Sequence, residues 1–330
     1  MKHNAIAQRY PDNTRTCYDG VMTDDREKTP ALTTVASDGG ANSPQPPFDG
    51  DLTDLGTLKR LLARHGISLN KGLGQHLLIS RKALNAVVVA ADLTPDDRVL
   101  EVGAGPGVLT RELALQARRI VAVELDRAIL PVLRETTADL PNVEIIPRNL
   151  LEVQPEEVFG AEPYKLVANL PYYITSLILR HLLESANAPR VLVVMVQREV
   201  AERLVAGPGE MSLLALSVQI YGTPRIITYV PATAFFPSPQ VDSAVVRVDL
   251  HPAPLLDADT TEQFFALIHA GFAEKRKQIH NSLARHLDMS RETISRWLAE
   301  CEIDPMRRAQ TLSLEEWLRL SRIAQAEESA

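Results

Sequence analysis

The chain has 330 residues, 45% hydrophobic and 23% charged, enough apolar material for one large domain and a smaller one. Its longest apolar runs, "ALNAVVVAA" and "VLVVMV", fall far short of the roughly 20 residues a membrane helix needs, and its two cysteines, Cys17 and Cys301, form neither a disulfide framework nor a metal-ligand spacing. The net charge of −7 argues against a nucleic-acid partner only until it is divided: residues 1–54 carry five Lys/Arg against nine Asp/Glu, whereas residues 273–286 carry four Lys/Arg against one Glu.

In chain order, residues 1–54 read as a disordered acidic extension, rich in Asp, Thr, Ser, Pro and Gly and without a sustained apolar period. Its first residues lack the apolar core of a signal peptide and are too acidic for a transit peptide, which points to a cytoplasmic protein. Order is expected from "DLGTLKRLLARHGI", where Leu55, Leu58, Leu61 and Leu62 share a helical face. The helix "KALNAVVVAADL" follows, and then short apolar strands at 98–103, 119–126, 143–148, 164–170 and 190–197 alternate with helical intervals. That spacing predicts a parallel sheet covered on both faces. "RIITYVP" and "SAVVRVDL" suggest a terminal antiparallel pair. The strands end by residue 250, and residues 251–330 form a small all-α domain with one helical stretch spanning 261–287.

"VLEVGAGPGVLTREL" turns a strand into a helix over Gly103, Gly105 and Gly107. Glycine there permits unusual dihedrals and close approach of a ligand to the backbone. The spacing is G-x-G-x-G with Val108 next, so neither the dinucleotide fingerprint nor a phosphate-binding P-loop is met. Glu124, ending the next strand, is placed to accept both hydroxyls of a ribose. A nucleoside without pyrophosphate is implied, and S-adenosylmethionine fits best. The sheet is then that of a Rossmann-like class I methyltransferase, α/β with helices on both faces. Adenine would lie by Asn149 and Leu150, with Asn149 reading equally as an acceptor for the adenine amine or an ordinary turn residue. No metal is implied.

The fourth strand runs into Asn169-Leu170-Pro171-Tyr172 at the carboxyl end of the sheet, where open α/β folds bind ligands. This set suits an exocyclic amine on a flat ring, a poor nucleophile whose lone pair is delocalised. The Asn169 side-chain oxygen and the Pro171 carbonyl would each accept one N–H, and Tyr172 would stack on a base swung out of its helix or already unpaired. "ATAFFPSPQVDSAVV" adds a second aromatic wall, Phe235 or Phe236, on a proline-stiffened loop.

With these residues the chain resembles the KsgA family of small-subunit rRNA adenine dimethyltransferases over roughly residues 60–325. The matching stretches are "KGLGQHLL", "VLEVGAGPGVLT", "AVELD", "NLPYYITSLIL", "FFPSPQVDSAVVRV", "FAEKRKQIHNSL" and "RRAQTLSLEEW". The resemblance implies N6,N6-dimethylation of two adjacent adenosines near the 3′ end of 16S rRNA in the immature 30S subunit, by a monomer. It implies S-adenosylmethionine binding by Gln75, His76, Leu78, Gly103, Gly105, Glu124, Asn149, Leu150 and Asn169. It assigns Asn169, Pro171 and Tyr172 to the target base, and Phe235 rather than Phe236 to stacking. The basic stretch Lys275, Arg276 and Lys277 would bind RNA, on what reads as a helix.

Three departures stand out: Gln75-His76-Leu77-Leu78 where the family usually has Gln-Asn-Phe-Leu, Asn149 where it usually has Asp, and a short "GPGEMSLLALSVQIYG" after the fifth strand. A 23S rRNA adenine methyltransferase would use the same chemistry on another RNA, and a non-catalytic nucleic-acid-binding relative would keep only the fold. "RRAQTLSLEEW" and the helical domain favour the small-subunit enzyme over the first. The intact Gly103, Glu124 and Asn169 set disfavours the second.

Overall fold

The computed structural model describes residues 48–67, 69 and 76–328. Gln75, Cys17 and the first 47 residues lie outside the described residues. The described strands are β1 (Leu77–Leu78), β2 (Arg98–Val102), β3 (Arg119–Val123), β4 (Val143–Ile146), β5 (Lys165–Asn169), β6 (Val191–Gln197), β7 (Gly222–Val230), β8 (Phe235–Phe236) and β9 (Ser243–Leu250). Seven of them form one sheet in the order β4-β3-β2-β5-β6-β9-β7. Strands β2 to β6 are mutually parallel, and β9 runs antiparallel between β6 and β7, as the apolar spacing predicts.

The central strands are apolar because helices cover both faces. Val99, Val167 and Val193 point into one core, where Leu84 and Val87 of helix Arg81–Ala91 meet them. Leu100, Leu166 and Leu192 point into the other, against Ile178 and Leu182 of helix Thr175–Leu183. All six strand residues are wholly buried. The chain steps from β2 outward to β3 and β4, then returns across β2 to β5. That reversal opens a crevice at the carboxyl ends of β2 and β5.

Two boundaries differ from the reading by composition. Residues 48–54, grouped there with the acidic extension, are packed on the sheet domain. Leu52 is buried in the core, and the Arg111 guanidinium lies 5.5 Å from the Phe48 ring while donating to its carbonyl at 3.0 Å. Composition missed this because two apolar residues among acids do not make a period. The expected helical stretch over 261–287 is two helices, Ala258–Phe272 and Ile279–His286. Lys275, Arg276 and Lys277 lie exposed on the turn between them, not on a helix. Three adjacent cations give that segment no apolar face to bury, and the Lys277 N–H closes a turn on the Glu274 carbonyl at 2.9 Å.

Helices Arg291–Glu300 and Leu314–Glu328 complete the helical domain around Phe264, Leu283, Trp297 and Trp317. Gly271 is needed for this packing, since a Cβ there would come within 2.4 Å of Trp317 Cη2. "RRAQTLSLEEW" turns out to be the lock of this domain. Arg307 grips the Glu316 carboxylate with both Nη atoms, and Glu316 Oε2 accepts the Ser313 N–H at 2.7 Å while the Ser313 hydroxyl accepts the Glu316 N–H at 3.2 Å. The last two bonds form a capping box at the start of the final helix. Met211, Ala215 and Leu216, from the sheet domain, share the helical core, and the Gln310 carbonyl accepts the Gly209 N–H at 2.9 Å. No described helix is long and apolar enough to cross a membrane.

Candidate active site

The crevice holds a cavity of about 330 Å³. Its floor is the glycine turn after β2, where Gly103, Gly105 and Gly107 have φ of +71°, +56° and +87°. Side chains rarely adopt such dihedrals, and at Gly107 a Cβ would also meet Thr136 Oγ1 at 2.8 Å. Glu124 fastens this turn to β3: its Oε2 accepts the Gly105 N–H and its Oε1 the Asp126 N–H, each at 2.8 Å. Burial raises the Glu124 pKa against the opposing pull of those N–H groups. Glu124 is 8% exposed and lines the cavity, so its carboxylate keeps lone pairs for that space.

Beneath it lies Glu101, 1% exposed, with Oε2 buried and unpartnered. Burial, and then the neighbouring Glu124 charge, push its pKa up to about 8. The sequence reading missed this residue because a single Glu inside "VLEV" belongs to no motif, although a strand read as buried offers it no outward, solvated position. With both faces of the sheet covered, no such position exists on β2.

At the end of β5 the Asn169 side chain is oriented by its donor end. Nδ2 donates to the His76 carbonyl at 3.2 Å, and among the described residues no donor meets Oδ1, which leaves an acceptor at the cavity. Pro171 behaves differently from expectation. Its carbonyl accepts the Ile174 N–H at 3.3 Å and the Thr175 hydroxyl at 3.1 Å, because a 3₁₀ turn over Tyr172–Ile174 starts there. The neighbouring Leu170 carbonyl has no donor among the described residues, and Leu170 lines the cavity. A residue before proline is held extended, so its carbonyl stays out of the turn; that was the signal available in the sequence.

Tyr172 is fixed at both ends. Its hydroxyl hydrogen-bonds Ser243 Oγ at 2.6 Å, and its ring stacks on His76 at 5.8 Å with the planes 22° apart. His76 Nδ1 donates to the Pro237 carbonyl at 2.6 Å, tying the proline loop to the cavity wall. Phe235, expected to stack on the base, is 2% exposed in the core and does not line the cavity. Strand β8 pairs antiparallel with β1, so the alternation of the strand sends Phe235 inward and leaves Phe236 half-exposed. Among the cofactor candidates, His76, Leu78, Gly103, Gly105, Glu124, Asn149, Leu150 and Asn169 all line the cavity. Of the two readings left open for Asn149 the turn role holds: its Oδ1 accepts the Leu151 N–H at 3.1 Å, which leaves the amide's donor end loose. Lys275, Arg276 and Lys277 are not part of the cavity lining.

Residues 66–326 match the family model for ribosomal RNA adenine dimethylase. The chain belongs to that family. A ribosomal RNA small subunit methyltransferase A from Dehalococcoides mccartyi is 47% identical over 260 residues, covering 78% of this chain and 89% of that protein. The protein of the same name from Pelotomaculum thermopropionicum is 43% identical over 274 residues, 79% of this chain and 92% of its own. The crystal structure of the 23S rRNA methyltransferase ErmE superposes with a TM-score of 0.63 at 29% identity, covering 74% of this chain and 98% of that one. A Plasmodium falciparum dimethyladenosine transferase shares the fold, with a TM-score of 0.67 at 22% identity over 77% of this chain and 98% of its own. For a dimethylase of this family, the crevice at the reversal of strand order is the place where Asn169 and the glycine turn come together.

Proposed function

We propose that this family member uses S-adenosylmethionine to convert two adjacent adenosines near the 3′ end of 16S rRNA to N6,N6-dimethyladenosine, acting as a cytoplasmic monomer on the immature 30S subunit. The observation that carries the reading is the Asn169 amide, turned by the His76 carbonyl so that Oδ1 offers an acceptor beside the glycine turn. The residues present fit the cofactor. Glu124 keeps acceptor capacity for a ribose diol, the glycine turn offers bare backbone, and Leu150 with the Asn149 Nδ2 donor suits an adenine face and ring nitrogen. His76 and Leu78 close the opposite wall. S-adenosylmethionine supplies a methyl group made electrophilic by a positively charged sulfur.

The protein's part is to prepare the acceptor. Asn169 Oδ1 and the Leu170 carbonyl accept the two N–H bonds of the target amine, which draws its lone pair out of conjugation with the ring. Tyr172, held by Ser243 and His76, is the wall against which the base lies. The amine needs no base before attack, because its proton turns acidic only when nitrogen bears a fourth bond. Catalysis is then mostly positioning in a site that excludes water.

The test is transfer of labelled methyl from S-adenosylmethionine to purified unmethylated 30S and 50S particles, followed by mapping of the modified nucleotides. Label in two adjacent 16S adenosines is expected. Label confined to 50S would favour the chemistry of the ErmE likeness, and no label would sink the reading.

A further inference from the structure

Two side chains, one lining the cavity and one linked to its wall from outside the lining, are accounted for by neither the cofactor nor the amine cradle. Tyr173 lines the cavity yet is 60% exposed, in contrast to Tyr172 beside it, which is pinned by Ser243 and His76. The turn that presents Tyr173 is held by the two bonds onto the Pro171 carbonyl, so the ring projects from a fixed backbone. On the other flank, Lys59 of helix Leu55–Arg64 places Nζ 4.8 Å from the centroid of the Phe236 ring. Its neighbours on that helix are engaged within the protein, Arg64 with Glu135 and Arg60 with Thr57. Lys59 is exposed and has no carboxylate partner among the described residues.

These two points are joined by contacts around the mouth. Phe236 precedes Pro237, whose carbonyl receives His76 Nδ1, and the His76 ring stacks on Tyr172, which precedes Tyr173. A cation, the ring it rests on, the wall for the target base and an exposed ring therefore follow one another as a series of contacts that leads from outside the cavity lining to its mouth.

We propose that this series of side chains is a track for the single-stranded RNA flanking the target adenosine, with Tyr173 stacking on an adjacent base at the mouth and Lys59 holding a backbone phosphate farther out. The proposal rests on the reading that an adenine enters this cavity. A target held out of its helix leaves its neighbours unpaired, and an exposed tyrosine suits any of them because every base has a π-face. An aromatic seat under Lys59 positions the ammonium without neutralising it, as a carboxylate would. The two interactions leave different signatures. Stacking is nearly indifferent to salt, whereas a phosphate interaction releases counterions.

The experiment is equilibrium binding of the full-length protein to unmethylated 30S particles across a salt series, with S-adenosylmethionine affinity measured separately by calorimetry. Tyr173→Ala should weaken particle binding by about five- to a hundredfold at unchanged salt slope, with Tyr173→Phe within about twofold of wild type. Lys59→Ala should lower the log–log salt slope by about 0.7, and Lys59→Arg should restore it. Cofactor affinity should be unchanged in all four, which also certifies the fold. Tyr173→Ala within twofold of wild type, or an unchanged slope in Lys59→Ala, overturns the track. A wild-type protein that binds 30S particles without methylating them would overturn the proposed function and leave this test standing.

Discussion

The carboxyl groups beside the cavity and those of the helical domain are both withdrawn from water, and the molecule treats them in opposite ways. Glu101 has a buried oxygen without a partner and a pKa raised to about 8, first by burial and then by Glu124. Glu316 is also desolvated, but hydrogen bonds from Arg307 and Ser313 outweigh that burial and hold its carboxyl below the ordinary range. Glu316, paired and capped, keeps its charge, whereas Glu101, short of partners, is held toward its neutral form.

The strongest way to break this comparison is at Asn169. Asn169→Ala should lower the methylation rate by about 10²–10³-fold, in line with removing one preorganised hydrogen-bonding group from a reacting centre. S-adenosylmethionine affinity, read by calorimetry, should change by only a few fold, and full activity in this variant would refute the assignment. Arg307→Ala probes the other side. It strands the Glu316 carboxylate and should cost about 2–3 kcal/mol of stability in denaturant titration, while cofactor binding at the distant cavity survives. Loss of cofactor binding at unchanged stability would invert the roles of the two regions.

The two carboxyls also predict opposite pH dependence. Glu316, with its lowered pKa, stabilises the fold above the ordinary carboxylate range, and that stability is lost as pH falls through its folded value. Glu101, with its raised pKa, contributes stability that is full below about 4.5 and is lost as pH rises toward about 8. Across that window unfolding releases one proton from Glu101, a slope of about 1.4 kcal/mol per pH unit. Glu101→Gln should remove that slope from stability measured between pH 5 and 8, and an unchanged slope would show that Glu101 is already ionised in the fold.

Much of the site was legible in the sequence because it depends on local rules. A triple-glycine turn, an acid after the next strand and Asn-Leu-Pro-Tyr at a strand end can each be read within a few residues, and the structure brings them to one cavity. The readings that needed tertiary context fared worse. The Pro171 carbonyl, expected to face the cavity, is consumed instead, because the hydrogen bonds of a 3₁₀ turn decide which carbonyl is used. Phe235 went into the core because its direction is set by pairing with Leu78 of β1, far back along the chain, which no local pattern encodes. Lys275, Arg276 and Lys277 looked helical because apolar residues on both sides keep a helical period, while the three cations between them keep none.

That basic turn is where the comparison has the least structural support and the smallest expected effect. Its cations are exposed and sit on the helical domain, away from the cavity lining, where their main contribution to RNA affinity would be through phosphates. Replacing Lys275, Arg276 and Lys277 with Glu should weaken 30S binding and lower the salt slope by about 0.7–0.9 for each phosphate no longer neutralised, leaving cofactor affinity and the methylation rate at saturating particle untouched. An unchanged slope would mean that the turn is merely solvated. The helical domain would then contribute packing alone, through Arg307, Glu316 and Trp317, and RNA recognition would fall to the sheet domain, where the cavity lies.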